Sequence, residues 1–261
     1  MYKNLMIEWL KVRNYRTFWV LLILFVVCMI GVNYVVYHLK KEVGTQAVSM
    51  FIGNPFEFPD VWQTVTYISS FLLFLPGLIV LILITNEYNF KTHRQNIIDG
   101  ISRFDFALTK ILVVLKLSVF ATIIAALIAV FIGISGNTSF SFDHAGYLWY
   151  FFLQALTYSL AGLVFGFLFK RSGLAIALYF IYLFFLKNIL TFFINHYFSS
   201  IGDYFPIKSS DNLIQNPLIQ KFSKEIHFLT PPNVPLLIIF TVVYLIAFYF
   251  IIVKKFTTED L

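Results

Sequence analysis

Six long apolar runs alternate with shorter polar segments along the chain. They cover residues 18–37, 66–86, 110–135, 147–169, 173–196 and 235–253. About 20 consecutive apolar residues suffice for a helix to cross the hydrocarbon core of a bilayer. The pattern therefore predicts an all-α polytopic membrane protein with six transmembrane helices, in which residues 1–261 form a single transmembrane domain.

The composition excludes the main alternatives to a membrane location. Hydrophobic residues make up 59% of the chain and charged residues 12%, and the mean hydropathy is +0.82. Soluble domains are typically about 45–50% apolar and about 25% charged, so one soluble core cannot bury this much apolar surface. A soluble enzyme, a nucleic-acid-binding domain and a disordered chain are excluded, and the lipid bilayer is the expected solvent.

The basic residues are distributed unevenly between the two sides that six spans define. Most of them precede the first run, lie between the second and third runs, occupy positions 170 and 171, or follow the last run. Because Lys and Arg accumulate on the cytoplasmic side of membrane proteins, both termini are predicted to be cytoplasmic. The abundance of Phe, Asn and Ile favours an AT-rich bacterial source, and hence the bacterial inner membrane.

Two long segments lie on the opposite, outer side. The first covers residues 38–65, and the second is an outer loop over residues 197–234. The second segment has several short apolar groups between turn-forming residues. It is therefore expected to contain short interfacial or re-entrant helices.

Residues 2–17 are amphipathic and basic. Trp9 lies among apolar residues at helical spacing, and Lys11 and Arg13 lie around them. A basic amphipathic helix with a Trp residue lies naturally in the membrane interface. Two interpretations are open: an anchor that sets the topology, or a connecting helix that receives force from a cytoplasmic partner.

Residues 87–105, between the second and third spans, predict a helical hairpin on the cytoplasmic surface. A short polar helix over residues 87–99 would end at Gly100, which suits a helix C-terminus. Ser102 would then cap the next helix, with Asp105 three residues further on. The segment has the features of a docking element rather than those of a plain solvated loop.

The third helix is predicted to be longer than the membrane is thick. No proline interrupts residues 102–135, and a helix of that length extends for about 50 Å at about 1.5 Å per residue. The hydrocarbon core is only about 30 Å thick. The helix should therefore project into the cytoplasm, with Lys110 outside the membrane and Lys116 near its edge.

This segment also contains a motif with a family resemblance. The residues are Glu87, Tyr88, Thr92, Arg94, Ser102, Arg103 and Lys110, in the spacing E-Y-x-x-x-T-x-R-x-x-x-x-x-x-x-S-R-x-x-x-x-x-x-K. The pattern resembles the second cytoplasmic segment of ABC-2 type transporter permeases, which also follows the second of six spans. The sequence departs from that pattern at Lys91, where a Gly is usual, and at Gly100, where a Pro is usual.

The resemblance implies a role and a set of partners. Such a permease pairs with a second membrane subunit, identical or related, and binds a dimer of a cytoplasmic ATPase that holds ATP and Mg. Residues 2–17 would be the connecting helix, with Trp9, Lys11 and Arg13 as its key residues. The ATPase-coupling residues would be Glu87, Tyr88, Thr92, Arg94, Ile97, Ser102 and Arg103.

The chain lacks the residue patterns of an enzyme. No phosphate-binding loop of the form G-x-x-x-x-G-K-[ST] occurs, so ATP hydrolysis is expected in a separate chain and no cofactor is expected in this one. The five His residues show no i,i+4 pair, which disfavours a metal site. An intramembrane enzyme is disfavoured because no catalytic pair is evident.

Several residues inside the spans call for an interpretation. Pro76 and Gly77 should kink the second helix and provide a hinge on the substrate path. Gly162 and Gly166 permit close helix packing, more often within one subunit than between two. Lys187 lies inside the fifth span.

Lys187 has two interpretations. It either snorkels or pairs with a loop carboxylate such as Asp203, or it meets an anionic substrate group or a second subunit. All 13 acidic residues are expected at or outside the span edges. That distribution argues against a carrier driven by protons or sodium, which usually needs a carboxylate within the membrane.

The resemblance to ABC-2 permeases therefore implies the transmembrane permease subunit of an ATP-driven transporter, and the family analogy implies that it is an exporter. A path between spans two and five would open outward as two subunits rock against each other. The alternative is an ABC-2-like membrane subunit that transmits force or a signal to an envelope complex without moving a solute. Lipid, peptide, drug and polysaccharide substrates are all open.

Overall fold

The computed structural model describes residues 2–43, 54–136, 139–198, 200–217, 220 and 233–258. Within these residues the chain forms helices and no strands. Five of these helices are long and apolar enough to cross a membrane, and one bent helix pair passes the same test together, which gives up to six candidate spans among the described residues. The prediction of an all-α polytopic membrane protein is confirmed.

The first half of the chain contains spans one to three. The helices are α1 (Tyr2–Arg13), α2 (Arg16–Val43), α3 (Val61–Ser70), α4 (Phe74–Asn89), α5 (Thr92–Ile98) and α6 (Arg103–Ser135). Span one is α2, span two is the bent pair α3 and α4, and span three is the 33-residue helix α6. Helix α5 is a short helix between spans two and three.

The second half contains spans four to six. Its elements are α7 (Tyr147–Phe169), α8 (Ser172–Phe180), a π-helical segment (Ile181–Leu186), α9 (Lys187–Phe198), a 3₁₀ turn (Ile201–Tyr204), α10 (Lys208–Asp211) and α11 (Val234–Thr258). Span four is α7, span five runs from α8 through α9, and span six is α11. Residues 218–219 and 221–232 of the predicted 197–234 loop, and residues 44–53 of the first outer segment, lie outside the described residues.

Span four is the centre of the bundle. Of its most apolar window, 78% is buried inside the protein, against 17% for each of spans one, five and six. Helices α4, α6, α8 and α11 all pack against α7. Spans one, five and six therefore present most of their side chains outward, as expected for surfaces that face lipid or another subunit.

The closest helix packing joins α4 to α7. A Cβ atom added at Gly162 of α7 would overlap the backbone carbonyl of Gly77 in α4, and one added at Gly166 would overlap the side chain of Ile84. Small residues let helix backbones approach each other in membranes, where tight packing is a main source of association. The two glycines of α7 thus serve packing within the subunit.

Span two bends by 42° between α3 and α4. The break lies at residues 71–73, where the N–H groups of Leu72 and Leu73 bond to carbonyls three residues earlier. The predicted kink is present, but it precedes Pro76, because a proline ring clashes with the carbonyl four residues before it. Pro76 itself lies in the first turn of α4, where its missing N–H removes no helical hydrogen bond.

The first helix and the end of the last helix lie at the same end of the bundle. Arg103 Nη1 donates to the carbonyl of Thr257 at 3.2 Å, and the rings of Phe106 and Phe256 lie 4.7 Å apart. Helix α1 also packs against the start of α6. We call this the basic end, and it comprises α1, residues 90–102, residues 170–171 and the last turns of α11.

The opposite end, here called the loop end, comprises residues 54–60, 139–146 and 200–217. The Phe58 ring lies directly against Gly133 near the end of α6, and Trp62 Nε1 donates to the carbonyl of Ser141 at 2.9 Å. Residues 201–214 fold back among spans four, five and six instead of remaining outside them. This re-entrant course matches the short helices expected in the second outer loop.

Candidate coupling site at the basic end

Helix α6 begins where the sequence predicts. Ser102 is its N-cap: its Oγ accepts a hydrogen bond from the Asp105 N–H at 3.0 Å and donates to the Asp105 carboxylate at 2.7 Å. The first of these bonds is the N-cap half of a capping box, and the Asp105 carboxylate bonds to the Ser102 hydroxyl instead of to its backbone N–H. The cap fixes the point at which the chain turns from α5 into the long third span.

Helix α5 is bounded by two residues with positive φ. Lys91 has φ 56° and ends the continuation of span two, and Gly100 has φ 94° and ends α5. The Ile101 N–H bonds back to the Asn96 carbonyl at 3.0 Å, as in a Schellman motif. The prediction of a polar helix starting at residue 87 is wrong, because α4 continues to Asn89 and only the left-handed turn at Lys91 separates it from α5.

The segment from Phe90 to Ile98 exposes apolar side chains beyond the end of the apolar span. Phe90 and Ile98 are each 75% exposed, and Thr92 and Arg94 are exposed beside them. Ile97, which the sequence favoured as a contact residue, is half-buried. The sequence analysis predicts neither Phe90 nor Ile98 as a contact residue. The sequence alone does not show which of the adjacent residues Ile97 and Ile98 faces outward.

Next to this segment, four charged side chains from helices α1, α4 and α6 form one cluster. Lys110 Nζ of α6 lies 2.6 Å from Glu8 Oε2 of α1 and 2.5 Å from Glu87 Oε1 of α4. Lys11 Nζ lies 3.0 Å from Glu8 and 3.1 Å from Glu87. The two carboxylates and two ammonium groups balance in charge, and they tie the start of the chain to spans two and three.

The cluster is buried, which changes the expectation for Lys110. Its side chain is only 5% exposed, and its ammonium group lies 4.8 Å from the centre of the Phe106 ring. Lys110, expected outside the membrane, is not exposed to solvent there, because the carboxylates of α1 and α4 enclose it. Sequence reasoning missed Glu8 entirely, and the only available signal was an acidic residue on an otherwise basic helix.

Two further contacts link the exposed segment to this cluster. His93 Nδ1 of α5 lies 3.0 Å from the backbone carbonyl of Glu87, and its ring lies 4.6 Å from that of Tyr88. The Tyr88 ring also packs against Phe167 of span four, at 6.2 Å. Helix α5 is therefore joined to the cluster and to span four through side chains as well as through the backbone.

The remaining predicted residues of α1 lie on its outward face. Trp9 is 52% exposed and packs edge-to-face against Trp19 at 6.3 Å, and Trp19 Nε1 donates to the Arg13 carbonyl at 3.0 Å. Arg13 is exposed, whereas Lys11 turns inward to the cluster. Helix α1 thus has a charged inner face and an amphipathic outer face.

The Glu8 carboxyl group gives the cluster a predictable dependence on pH. Burial alone would raise its pKa, but the Lys110 and Lys11 ammonium groups outweigh burial and hold its pKa below the ordinary value of 4.5. A carboxyl group whose pKa is lower in the folded protein than in the unfolded protein stabilises the folded state. This stabilisation is fully present at pH values above the pKa of the unfolded state, and it is lost as the pH falls through the pKa of the folded state.

We therefore expect the wild-type protein to lose thermal stability more steeply than Glu8→Gln between about pH 5 and about pH 3. The measurement is the melting temperature of each protein in detergent across that range, followed by Trp fluorescence. Parallel curves for the two proteins would contradict the assigned role of Glu8.

A second polar cluster lies deep among the spans. Lys187 Nζ of span five lies 2.5 Å from Asp211 Oδ2 and 2.7 Å from the Tyr158 hydroxyl of span four. The Tyr158 hydroxyl and Gln154 Nε2 both donate to Asp211 Oδ1, at 2.8 and 3.0 Å. Lys187 is thus paired with a loop carboxylate, as one interpretation of the sequence had it.

The carboxylate is not the one that the sequence suggested. Asp203 accepts a hydrogen bond from Asn195 at 3.2 Å, and Asp211 is the partner of Lys187. Tyr158 is the twelfth of the 23 residues of α7, about 16 Å from either end at about 1.5 Å per residue. The expectation that every acidic residue lies at or outside the span edges is therefore wrong for Asp211.

Comparison with known proteins identifies the family. A family model described as ABC-2 family transporter protein matches residues 4–186, which include most of α1, the exposed segment and spans one to four. Among proteins with curated descriptions, none matches this chain. The match extends over more than half of the chain and over the whole cluster at the basic end. The chain therefore belongs to the ABC-2 family of transporter proteins.

Proposed function

We propose that this protein is the permease subunit of an ATP-driven exporter, and that residues 90–102 bind a separate ATPase dimer on the cytoplasmic side. One observation carries the proposal: Phe90 and Ile98, each 75% exposed, lie on a short capped segment that is fixed to a buried charged cluster. Protein-binding surfaces contain exposed apolar side chains that a partner covers, and these two would supply such anchors. ATP and Mg would be bound by the partner.

The cluster suggests how a movement of the ATPase would reach the membrane. Helix α5 is joined to Glu87 through Lys91 and His93, and Glu87 shares Lys110 with Glu8. A displacement of α5 would therefore move α1, α4 and the base of α6 as one body. Helix α4 would carry α7 with it, because the two backbones are in contact at Gly77 and Gly162.

The transport path would lie between span two and span five of paired subunits. Span five exposes several large apolar residues, among them Phe184 at 49% and Phe185 at 64%. Such a face suits lipid or a second membrane subunit, which is either a copy of this chain or a related one. The break at residues 71–73 in span two is the point about which the two halves of that span would tilt.

Replacing Ile98 by Asp is expected to weaken ATPase binding by at least about thirtyfold, since loss of an apolar anchor at an interface centre costs about 2 kcal/mol or more. Arg94→Asp is expected to act in the same direction. The measurement is the amount of ATPase that co-purifies with each variant from native membranes, together with ATP-dependent transport once a substrate is known.

The matched control is Asn14→Asp, which adds the same charge at an exposed position of the basic end outside the segment. It should retain the ATPase. Undiminished binding and transport in Ile98→Asp would refute the assignment of residues 90–102. Recovery of envelope proteins alone from native membranes would instead favour a subunit that transmits force or a signal without moving a solute.

A further inference from the structure

Residues 201–214 enter the bundle from the loop end and are held there by buried side chains and by hydrogen bonds to spans five and six. Ile207, Ser210 and Leu213 are almost fully buried. Ser209 Oγ accepts a hydrogen bond from Thr241 Oγ1 of span six at 3.2 Å, and the Tyr182 hydroxyl of span five donates to the Pro206 carbonyl at 3.2 Å. The segment therefore occupies space among spans four, five and six.

Asp211 provides the charged contact of this segment. Its side chain is 18% exposed and that of Lys187 is 10% exposed, so both charges are largely withdrawn from solvent. A pair of this kind is strongly held once formed, because separating it leaves two uncompensated charges in a medium that solvates them poorly. The pair also joins span four to span five through the Tyr158 hydroxyl.

The π-helical segment of span five places Lys187 for this contact. The inward-facing residues of the span are Ala175, Tyr179, Leu183, Lys187 and Thr191, which recur every fourth position. In a regular α-helix of 3.6 residues per turn, sixteen residues would rotate Thr191 about 160° away from Ala175. The wider turn over residues 181–186 removes much of that drift and keeps Lys187 on the inner face.

Three independent features thus converge on one contact: a buried re-entrant segment, a charge pair at mid-depth, and a π-helical turn that ends at Lys187. Lys187 and Asp211 also lie beyond the residues that the family model matches. A purely structural role would be served equally well by apolar residues, which avoid the desolvation of two charges. An ion pair is strong while it is shielded from water, and it separates readily once water hydrates both charges. The Lys187–Asp211 pair therefore suits a segment that moves between two positions.

We propose that residues 201–214 form a plug that holds span five against spans four and six at the loop end, beside the transport path, and that the Lys187–Asp211 ion pair is its latch. The inference rests on the proposed permease function, which supplies the path that span five lines and that its movement would open. In the closed state the pair holds the segment between spans four, five and six. When span five moves away from span four, the pair separates, water hydrates both charges, and the segment is released.

The test measures water access to the plug in native membrane vesicles. Ser210, which is fully buried, is replaced by Cys in a Cys28→Ala background, and the rate of labelling by a water-soluble maleimide is recorded. Labelling of Ser210→Cys in the Cys28→Ala background should be slow. Adding Asp211→Asn should accelerate it by at least about tenfold, because the latch normally keeps local opening rare.

Two further variants separate release of the plug from misfolding. Asp203→Asn removes a carboxylate of the same segment that contacts Asn195 and not Lys187, and it should leave labelling within about twofold. The double variant Lys187→Met with Asp211→Asn leaves no unpaired charge, so its fold is not endangered, yet it too should label faster. If this neutral double variant labels at the wild-type rate, the latch does not exist.

The same assay distinguishes the latch from the permease function on which it rests. Labelling in the absence of ATP depends only on the plug. Adding ATP to vesicles that contain the complete complex should accelerate labelling of Ser210→Cys. Acceleration by the latch variants without any response to ATP would support the latch and refute ATP-driven opening.

Discussion

Replacing Lys110 by Met is expected to destabilise the protein by about 3–5 kcal/mol, the cost of removing one partner from a buried ion pair. The two carboxylates of Glu8 and Glu87 would then share only Lys11, which is half-buried and lies about 3 Å from each of them. The measurement is the free energy of unfolding in mixed micelles, or the melting temperature in detergent.

Two further variants test whether the loss of stability in Lys110→Met comes from the charged cluster. Lys116→Met removes an exposed lysine two turns further along the same helix and should change stability by less than about 0.5 kcal/mol. Glu8→Gln combined with Lys110→Met leaves one carboxylate against one ammonium group, and it should recover most of the loss. A Lys110→Met protein as stable as the Lys116→Met protein would mean that the four charges are not coupled.

Replacing Gly162 by Ala is expected to cost about 3 kcal/mol, the upper part of the range for overpacking in a core. The added methyl group would overlap backbone atoms of Gly77, and backbone cannot move aside as the end of a flexible side chain can. The two helices would have to separate along their whole contact. The measurement is the melting temperature and the monodispersity of the purified protein.

The matched control is Gly31→Ala in span one, where an added Cβ meets no other atom within 4 Å. It should leave stability unchanged or slightly higher, because Ala has the greater helix propensity. If both variants behave alike, the close contact between spans two and four is not essential to the fold.

The parts of the fold that the sequence predicts well depend on local signals. Span four has the predicted bounds because polar or glycine-containing segments flank a continuous apolar run on both sides. The start of α6 at Ser102 and the end of α5 at Gly100 follow from capping chemistry that a few neighbouring residues determine. The bend of span two follows in the same way from one proline.

The contents of the candidate site depend on contacts between distant residues, which a single sequence does not display. Glu8 and Lys110 are 102 residues apart, and the choice of Asp211 over Asp203 as partner of Lys187 depends on how the re-entrant segment folds. The π-helical turn has no comparable local signal. Its effect is visible only as inward-facing residues at every fourth position of span five.

The buried position of span four has a consequence for how the protein is made. This helix has a mean hydropathy of 1.7 in its most apolar window, against 3.0 for span six. Its middle contains Gln154, Thr157, Tyr158 and Ser159, which face the protein interior in the finished fold. A nascent helix released into lipid with these groups exposed would be poorly retained, since polar residues oppose insertion most strongly at the helix centre. Biogenesis would then follow the order of synthesis, with spans two and three already in the membrane to receive span four as it leaves the translocon.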